Sequence, residues 1–325
     1  MKNMKPSNNN KSVLIVSPVH DVLLIELDTL GYRYDLQLDI TPEQALGIIH
    51  QYHGVITSTR LVIDAAFLEA ATNLQWIGRM GSGMELIDVD YAQSRGIACF
   101  SSPEGNANAV AEQALGMLLC LQHHIYRARI EMQQDLWLRE ENRGLEIEGL
   151  TAGIIGYGNN GSAFAQKLAL LGVKVLAYDK HKQGYGTDLI QECNDLNLVY
   201  QVADIISFHV PLQTDTFHYF DKHFLESMHK PFVLLNLSRG PVVHQETVYL
   251  GLQSGKITAT ALDVWEQEPV QKMQGLMQQQ YREMLQMTNV LATPHIGGYT
   301  VQALYKMSYF LIEKIKKHLI NLGPV

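Results

Sequence analysis

Gly153-Ile154-Ile155-Gly156-Tyr157-Gly158-Asn159-Asn160-Gly161 is a short apolar run that ends in a glycine fingerprint, and Asp179 closes the next apolar run 18 positions after Gly161. The pattern predicts a strand, a tight turn and a helix that together hold a dinucleotide pyrophosphate. Gly156 permits the turn, Gly158 lets backbone approach the phosphates, and Gly161 lets the helix lie close on the sheet. The phosphates then meet the positive end of the helix, so the amides around Asn159 and Asn160 belong to the same site. Asp179 is placed to accept hydrogen bonds from a ribose hydroxyl and to repel a phosphate there, which favours NAD over NADP.

Working outward, apolar runs at 152–155, 174–178, 205–209, 232–237, 258–263 and 289–293 alternate with helical spacing, and six such strands predict a Rossmann sheet. About 150 residues precede the fingerprint, room for another domain. There the same rhythm occurs, with strands expected at 13–17, 34–38, 54–58, 74–78 and 97–100 and helices at 20–30, 41–50, 64–71 and 88–95. Parallel strands need crossovers, so both halves read as doubly wound α/β domains. From 106 to 130 the spacing predicts one helix about 36 Å long, able to bridge the domains. A last helix at 300–322 carries Ala303, Met307, Phe310, Leu311, Ile315 and Leu319 on one side and is expected to return to the first domain. The expected division is 1–105 with 296–325 for substrate and 106–295 for NAD. The Gln- and Met-rich stretch 270–288 predicts a surface helix that packs its methionines inward.

The composition, 46% hydrophobic and 18% charged, is that of a soluble globular chain. A net charge of −8 without a basic stripe argues against nucleic acid. Cys99, Cys120 and Cys193 suggest neither a disulfide framework nor a metal site, and suit a reducing cytoplasm. Residues 1–12 are polar and expected to fray, with no signal peptide. No apolar stretch predicts a membrane span.

Three polar clusters follow the fingerprint: Asn236-Leu237-Ser238-Arg239-Gly240, Asp263 through Glu268-Pro269, and Pro294-His295-Ile296-Gly297-Gly298. With His209-Val210-Pro211-Leu212, Gly78 to Gly83 and Asn108 to Glu112, they give a chain that resembles the D-isomer-specific 2-hydroxyacid dehydrogenases from Val13 to the last helix. Within that family it is most similar to short phosphoglycerate dehydrogenases, since no regulatory segment follows Val325. The resemblance implies a flavodoxin-like substrate domain, a Rossmann domain with a cleft between the two, and a homodimer. It also implies roles. His295 is the base that takes the hydroxyl proton and, in reverse, the acid that protonates a ketone; Glu268 holds the ring and raises its pKa; Arg239 binds the substrate carboxylate. His209, Pro211, Leu237, Ser238, Gly297 and Gly298 line the cofactor site, and Asp263 lies near the nicotinamide carboxamide. Amides around Ser82 and Gly83 hold a carboxylate. His123, His124 and His244 read as structural or solvated.

Two positions depart from the family. Asn160 stands where an aliphatic residue usually meets the cofactor. The loop Thr57-Ser58-Thr59-Arg60 has one arginine where phosphoglycerate enzymes tend to carry two, with Arg79 as a possible assistant. The expected activity is therefore NAD-dependent oxidation or reduction of a small 2-hydroxy or 2-keto acid, with 3-phosphoglycerate one candidate and a glyoxylate/hydroxypyruvate-type reductase the rival. NAD-sensing corepressors share the fold, but the complete Arg239, Glu268 and His295 set favours an enzyme. A glutamine in the role of Glu268 would mark the formate-oxidising branch instead.

Overall fold

The computed structural model describes residues 11–321. The polar stretch 1–10 and the expected end of the last helix at Leu322 lie outside the described residues. Ser12, expected to fray, opens the first strand. The chain divides into two compact units, Met1–Asn106 with Tyr299–Val325, and Ala107–Gly298.

The first unit is built on five parallel strands, β1 (Ser12–Ile15), β2 (Arg33–Leu36), β3 (Gly54–Thr57), β4 (Trp76–Arg79) and β5 (Ala98–Ser101), in the order β2-β1-β3-β4-β5. That is the flavodoxin-like order of a doubly wound sheet. Successive residues of a strand point to opposite faces, and both faces of the central strands are covered, so β1, β3 and β4 are mostly apolar and buried, while the edge strand β2 carries Arg33 and Asp35 and is largely exposed. Leu14, Val55 and Ile77 pack under α2 (Pro42–Ile48), α3 (Ala65–Ala70) and α4 (Val89–Ser94), while Val13, Ile15, Ile56 and Trp76 pack under α1 (Asp21–Thr29) and the last helix, α12 (Val301–Asn321). Each crossover helix starts where a side chain takes an otherwise orphaned amide: Asp64 accepts from Phe67 N–H and Asp88 from Tyr91 N–H, and Thr41 with Gln44 closes a capping box. The buried stripe of α12 is Ala303, Ser308, Leu311, Ile312 and Ile315, rotated from the expected one so that Phe310 leaves it. Ser308 is drawn inward because its hydroxyl accepts the His20 N–H at 2.9 Å, where α1 begins.

The second unit holds seven parallel strands rather than the six expected. They are β6 (Thr151–Ile155), β7 (Lys174–Tyr178), β8 (Ile190–Cys193), β9 (Ile205–Phe208), β10 (Phe232–Asn236), β11 (Ile257–Leu262) and β12 (Val290–Ala292), ordered β12-β11-β10-β9-β6-β7-β8. The unexpected strand, β8, is a short edge with the polar Gln191 and Glu192 between Ile190 and Cys193, too polar to stand out as an apolar run. Chain order reverses between β6 and β9, and the loops leaving them part there to open a crevice.

The single long helix expected over 106–130 is two: α5 (Pro103–Gln122) and α6 (Ile125–Met132), with His124 left-handed at φ 53°. The Gln122 carbonyl, which a continuing helix would bond to the residue four positions on, instead accepts Leu145 N–H at 2.9 Å from the returning connector. Beyond the break, α7 (Asn159–Leu170), α8 (Asn197–Val202), α9 (Lys222–Ser227), α10 (Gln245–Gln253) and α11 (Gly275–Gln286) cover the sheet. α11 packs Met284 inward with Tyr281 edge-on to Trp265, and Met273, in the turn before the helix, is buried as well.

Candidate active site

β6 and β9 end side by side, and their loops make a candidate nucleotide cradle. Gly156 adopts φ +95°, and a Cβ there would stand 2.8 Å from the His209 carbonyl carbon. At Gly161, in the first turn of α7, a Cβ would come within 2.0 Å of the Gly156 oxygen, so only glycine lets the helix start this close to the turn. Gly158 is the N-cap, and the helix end over Asn159 and Asn160 presents the amides that an anion needs. Asn160 Oδ1 is enclosed and has no protein hydrogen-bond partner.

Asp179, just past β7, accepts Tyr157 N–H on Oδ2 at 2.8 Å and the amides of His181 and Lys182 on Oδ1 at 2.9 and 3.0 Å. Three donors on about four lone-pair positions leave a direction for a hydroxyl. The neighbouring lysines are engaged elsewhere, Lys180 with Asp215 at 2.6 Å and Lys182 with the Tyr157 carbonyl at 3.0 Å, so neither is held for a ribose phosphate. These residues border an open cavity of about 150 Å³ that Gly156, Asp179, His209 and Pro211 help to line. Burial pushes the His209 imidazole down to about 4, so it is neutral near pH 7. Its Nε2 bonds Ser207 Oγ at 2.8 Å and its Nδ1 is buried without a protein partner. A cradle that a single methyl would fill, a helix end, a fixed acid and an unmet ring nitrogen together fit a bound dinucleotide.

The polar trio lies at the ends of β10, β11 and β12. Leu237 and Ser238 are buried beneath Arg239, and Asn236 pins the turn, taking the Ser238 amide and hydroxyl on Oδ1 and giving Nδ2 to the Arg239 carbonyl at 3.0 Å. Gly240 cannot carry a side chain, because its Cβ would lie 1.7 Å from the Trp265 carbonyl oxygen. The β10 loop therefore rests directly on the β11 loop. Arg239 Nη1 donates to the Ser238 carbonyl at 2.7 Å.

Glu268 Oε1 accepts Trp265 N–H at 3.0 Å, and Oε2 stands 2.8 Å from His295 Nδ1. Burial alone would raise this carboxyl, but the His295 bond and charge, the Trp265 amide and the Arg239 charge outweigh it and hold the pKa below the usual carboxylate range. His295 itself has left-handed backbone, φ 56°. Asp263, buried at the end of β11, secures that conformation: its carbonyl accepts His295 N–H at 2.8 Å, Oδ1 accepts Ile296 N–H at 2.9 Å, and Oδ2 accepts Gly297 N–H at 2.8 Å. A Cβ on Gly297 would stand 2.9 Å from Oδ2, so glycine is needed there too, and Gly298 completes the turn. Gln113 Nε2 and the Thr293 hydroxyl also donate to Asp263 Oδ1. The resemblance places Asp263 near a carboxamide; within the protein both of its oxygens are already engaged. Gln113 and Thr293 escaped the sequence reading, and the available signal was a polar residue inside the apolar periodicity of α5.

In the first unit, Arg60 and the Ser82–Gly83 turn follow the neighbouring strands β3 and β4. Arg60 is exposed, whereas Arg79 is 7% exposed and its Nη1 donates to its own neighbour, the Met80 carbonyl.

A Rossmann unit that presents an imidazole–carboxylate pair and an arginine at adjacent strand ends defines a nicotinamide-dependent oxidoreductase. Residues 115–297 match the model of the D-isomer specific 2-hydroxyacid dehydrogenase NAD binding domain. The chain is 34% identical over 288 residues to hydroxypyruvate reductase of Thermotoga maritima, covering 87% of this chain and 92% of that protein. It is 29% identical over 308 residues to D-3-phosphoglycerate dehydrogenase of Archaeoglobus fulgidus, covering 93% of this chain and 56% of that protein. D-lactate dehydrogenase from Aquifex aeolicus, solved with NAD and lactic acid, superposes with a TM-score of 0.81 at 25% identity, over 96% of each chain. The chain belongs to the D-isomer-specific 2-hydroxyacid dehydrogenases. It is an NAD-dependent oxidoreductase acting on the CH–OH group of 2-hydroxy acids, as the resemblance implied.

Proposed function

We propose that the chain is a reductase of small unphosphorylated 2-keto acids of the glyoxylate and hydroxypyruvate kind. The observation that carries this is Arg79: its guanidinium is turned onto the Met80 carbonyl, leaving Arg60 as the arginine of its loop at the surface. Each cationic donor strengthens the hold on a phosphate ester, and this loop offers one arginine. The likeness to hydroxypyruvate reductase over most of both chains points the same way.

Bound NAD(H) supplies or accepts the hydride. Gly156, Gly158, Asn159, Asn160 and Gly161 hold its pyrophosphate, Asp179 its ribose, and His209, Pro211, Leu237, Ser238, Asp263, Gly297 and Gly298 border it. Arg239 takes the substrate carboxylate in its planar fork and polarises the carbonyl. The Ser82 and Gly83 amides, with Arg60, supply further substrate contacts. His295 Nε2 delivers a proton to the carbonyl oxygen, and Glu268 holds the ring by Nδ1. In the oxidative direction the same nitrogen removes the hydroxyl proton.

The test is a comparison of kcat/KM for hydroxypyruvate, glyoxylate, pyruvate and 3-phosphohydroxypyruvate, followed by NADH absorbance. The unphosphorylated acids should lead by at least about tenfold, which corresponds to about 1.4 kcal/mol. A preference for the phosphorylated acid overturns the assignment.

A homodimer is part of the proposal. Ile125, Tyr126 and Met132 of α6, then Leu136, Trp137 (74% exposed) and Leu145, concentrate exposed apolar surface on one stretch of chain. A monomer by light scattering rules it out. The three unpaired thiols suit a reducing cytoplasm.

A further inference from the structure

Besides the trio, three side chains far apart in sequence converge in the second unit. His218 lies in the loop between β9 and α9, His244 is the N-cap of α10, and Glu266 lies in the loop after β11. All three are half-buried, and one potential ligand atom from each lies within 4.8 Å of the other two. His218 Nε2 is 2.8 Å from Glu266 Oε1, and the two imidazole centroids are 4.5 Å apart.

The other polar atoms of these side chains are held from outside the cluster. Glu266 Oε2 accepts Gln245 N–H at 2.8 Å, and His244 Nδ1 is 3.0 Å from the Thr247 hydroxyl, which leaves Nε2 for a ligand. Phe217 stacks on the His218 ring at 4.0 Å, and His218 keeps a left-handed backbone, φ 50°, with its amide on the Pro241 carbonyl at 2.8 Å. Partners that fix the tautomer and orientation of each ligand are the outer support of a metal centre.

We propose that His218, His244 and Glu266 bind one divalent cation of the zinc class, with a fourth position open to water. Two imidazoles and a carboxylate are a donor set that Zn²⁺ takes tetrahedrally, with bonds of about 2.0–2.1 Å. Ligand atoms around such an ion lie roughly 3.3 Å apart, so the His218–Glu266 contact opens by about half an ångström while His244 closes by side-chain rotation. The ion adds a tie among three loops that hydrogen bonds already join, His218 N–H to the Pro241 carbonyl and Gln245 N–H to Glu266 Oε2, close to where Gly240, next to Arg239, lies against the backbone of Trp265 and Glu266, two residues before Glu268. It thereby braces the two segments that carry Arg239 and Glu268. None of the three side chains lines the nucleotide cavity, although Thr216 and Tyr219 near His218 do, and the site does not depend on which keto acid is reduced. The competing arrangement is a plain His218–Glu266 ion pair beside a helix cap, which binds no ion stoichiometrically.

The test uses the full chain, stripped with a chelator and titrated with Zn²⁺ at neutral pH against a chromophoric chelator and by calorimetry. The expected result is one Zn²⁺ per chain, a higher thermal midpoint with the ion, and Kd weakened at least about tenfold in both His218→Gln and His244→Asn. His295→Asn should bind as wild type, which separates this site from the catalytic pair. Circular dichroism of each variant without metal distinguishes a lost ligand from a lost fold, and His244→Asn places a residue type favoured at helix N-caps at the start of α10. Absence of stoichiometric binding overturns the proposal. So does binding that survives both substitutions or that disappears in His295→Asn.

Discussion

Glu268→Gln separates the charge of the carboxylate from its shape. In the wild type Oε1 takes the Trp265 amide at 3.0 Å and Oε2 faces His295 Nδ1 at 2.8 Å. Because a carboxylate only accepts, Nδ1 must carry a proton, and Nε2 keeps the lone pair that a base requires. An amide has one accepting and one donating end. If its oxygen stays on Trp265, its NH₂ faces Nδ1 and drives the ring proton to Nε2, the tautomer that cannot accept. If the amide turns over, its NH₂ opposes the Trp265 N–H and leaves a partly buried donor unmet, at about 1–3 kcal/mol. Either way the charge-assisted bond to the protonated ring is lost, worth about 1–2 kcal/mol at this solvent-accessible position. At about 1.4 kcal/mol per factor of ten, kcat/KM should fall by about 10- to 10³-fold. NADH affinity, read by fluorescence titration, should hold within about threefold, since Glu268 lies outside the glycine cradle. A variant with wild-type kcat/KM and an unchanged pH profile would refute the assigned pair.

His295→Asn should lower kcat by about 10²–10⁴ with NADH binding retained, and an active variant would show that another group moves the proton. Gly161→Ala forces α7 away from the Gly156 carbonyl; denaturant unfolding should show a loss of about 1–3 kcal/mol, with NADH Kd raised at least about tenfold, and unaltered NADH affinity would place the pyrophosphate elsewhere. His209 titrates at about 4 when folded against the ordinary 6.5, so the unfolded chain binds the extra proton between those values. Its share of stability is complete above pH 6.5 and is lost as pH falls toward 4, by at most about 3 kcal/mol. Urea midpoints of wild type and His209→Gln at about pH 5 and 7 check this, and equal pH slopes would count against a buried neutral imidazole.

The alternation of apolar runs with helical spacing was enough to place two parallel sheets, because strands covered on both faces must be apolar throughout and helices between them must present one apolar stripe. The glycine fingerprint was equally legible, since a residue without Cβ is demanded by contacts within its own turn. What depended on the neighbours of a segment was not. β8 was missed because an edge strand needs little apolar character. The continuous helix from 106 failed because its end is set by Leu145, which arrives from 23 residues further along the chain and takes the Gln122 carbonyl. Asp263 as the post for the His295 loop, Arg79 turned onto its own backbone, and the His218–His244–Glu266 cluster have no local spacing that betrays them. The sequence by itself determined the periodicities and the glycine turn, because those follow from residues near one another in the chain. Only the tertiary structure decided which donors meet which acceptors, because hydrogen bonds and ligand sets are closed by side chains brought together across the ends of separate strands.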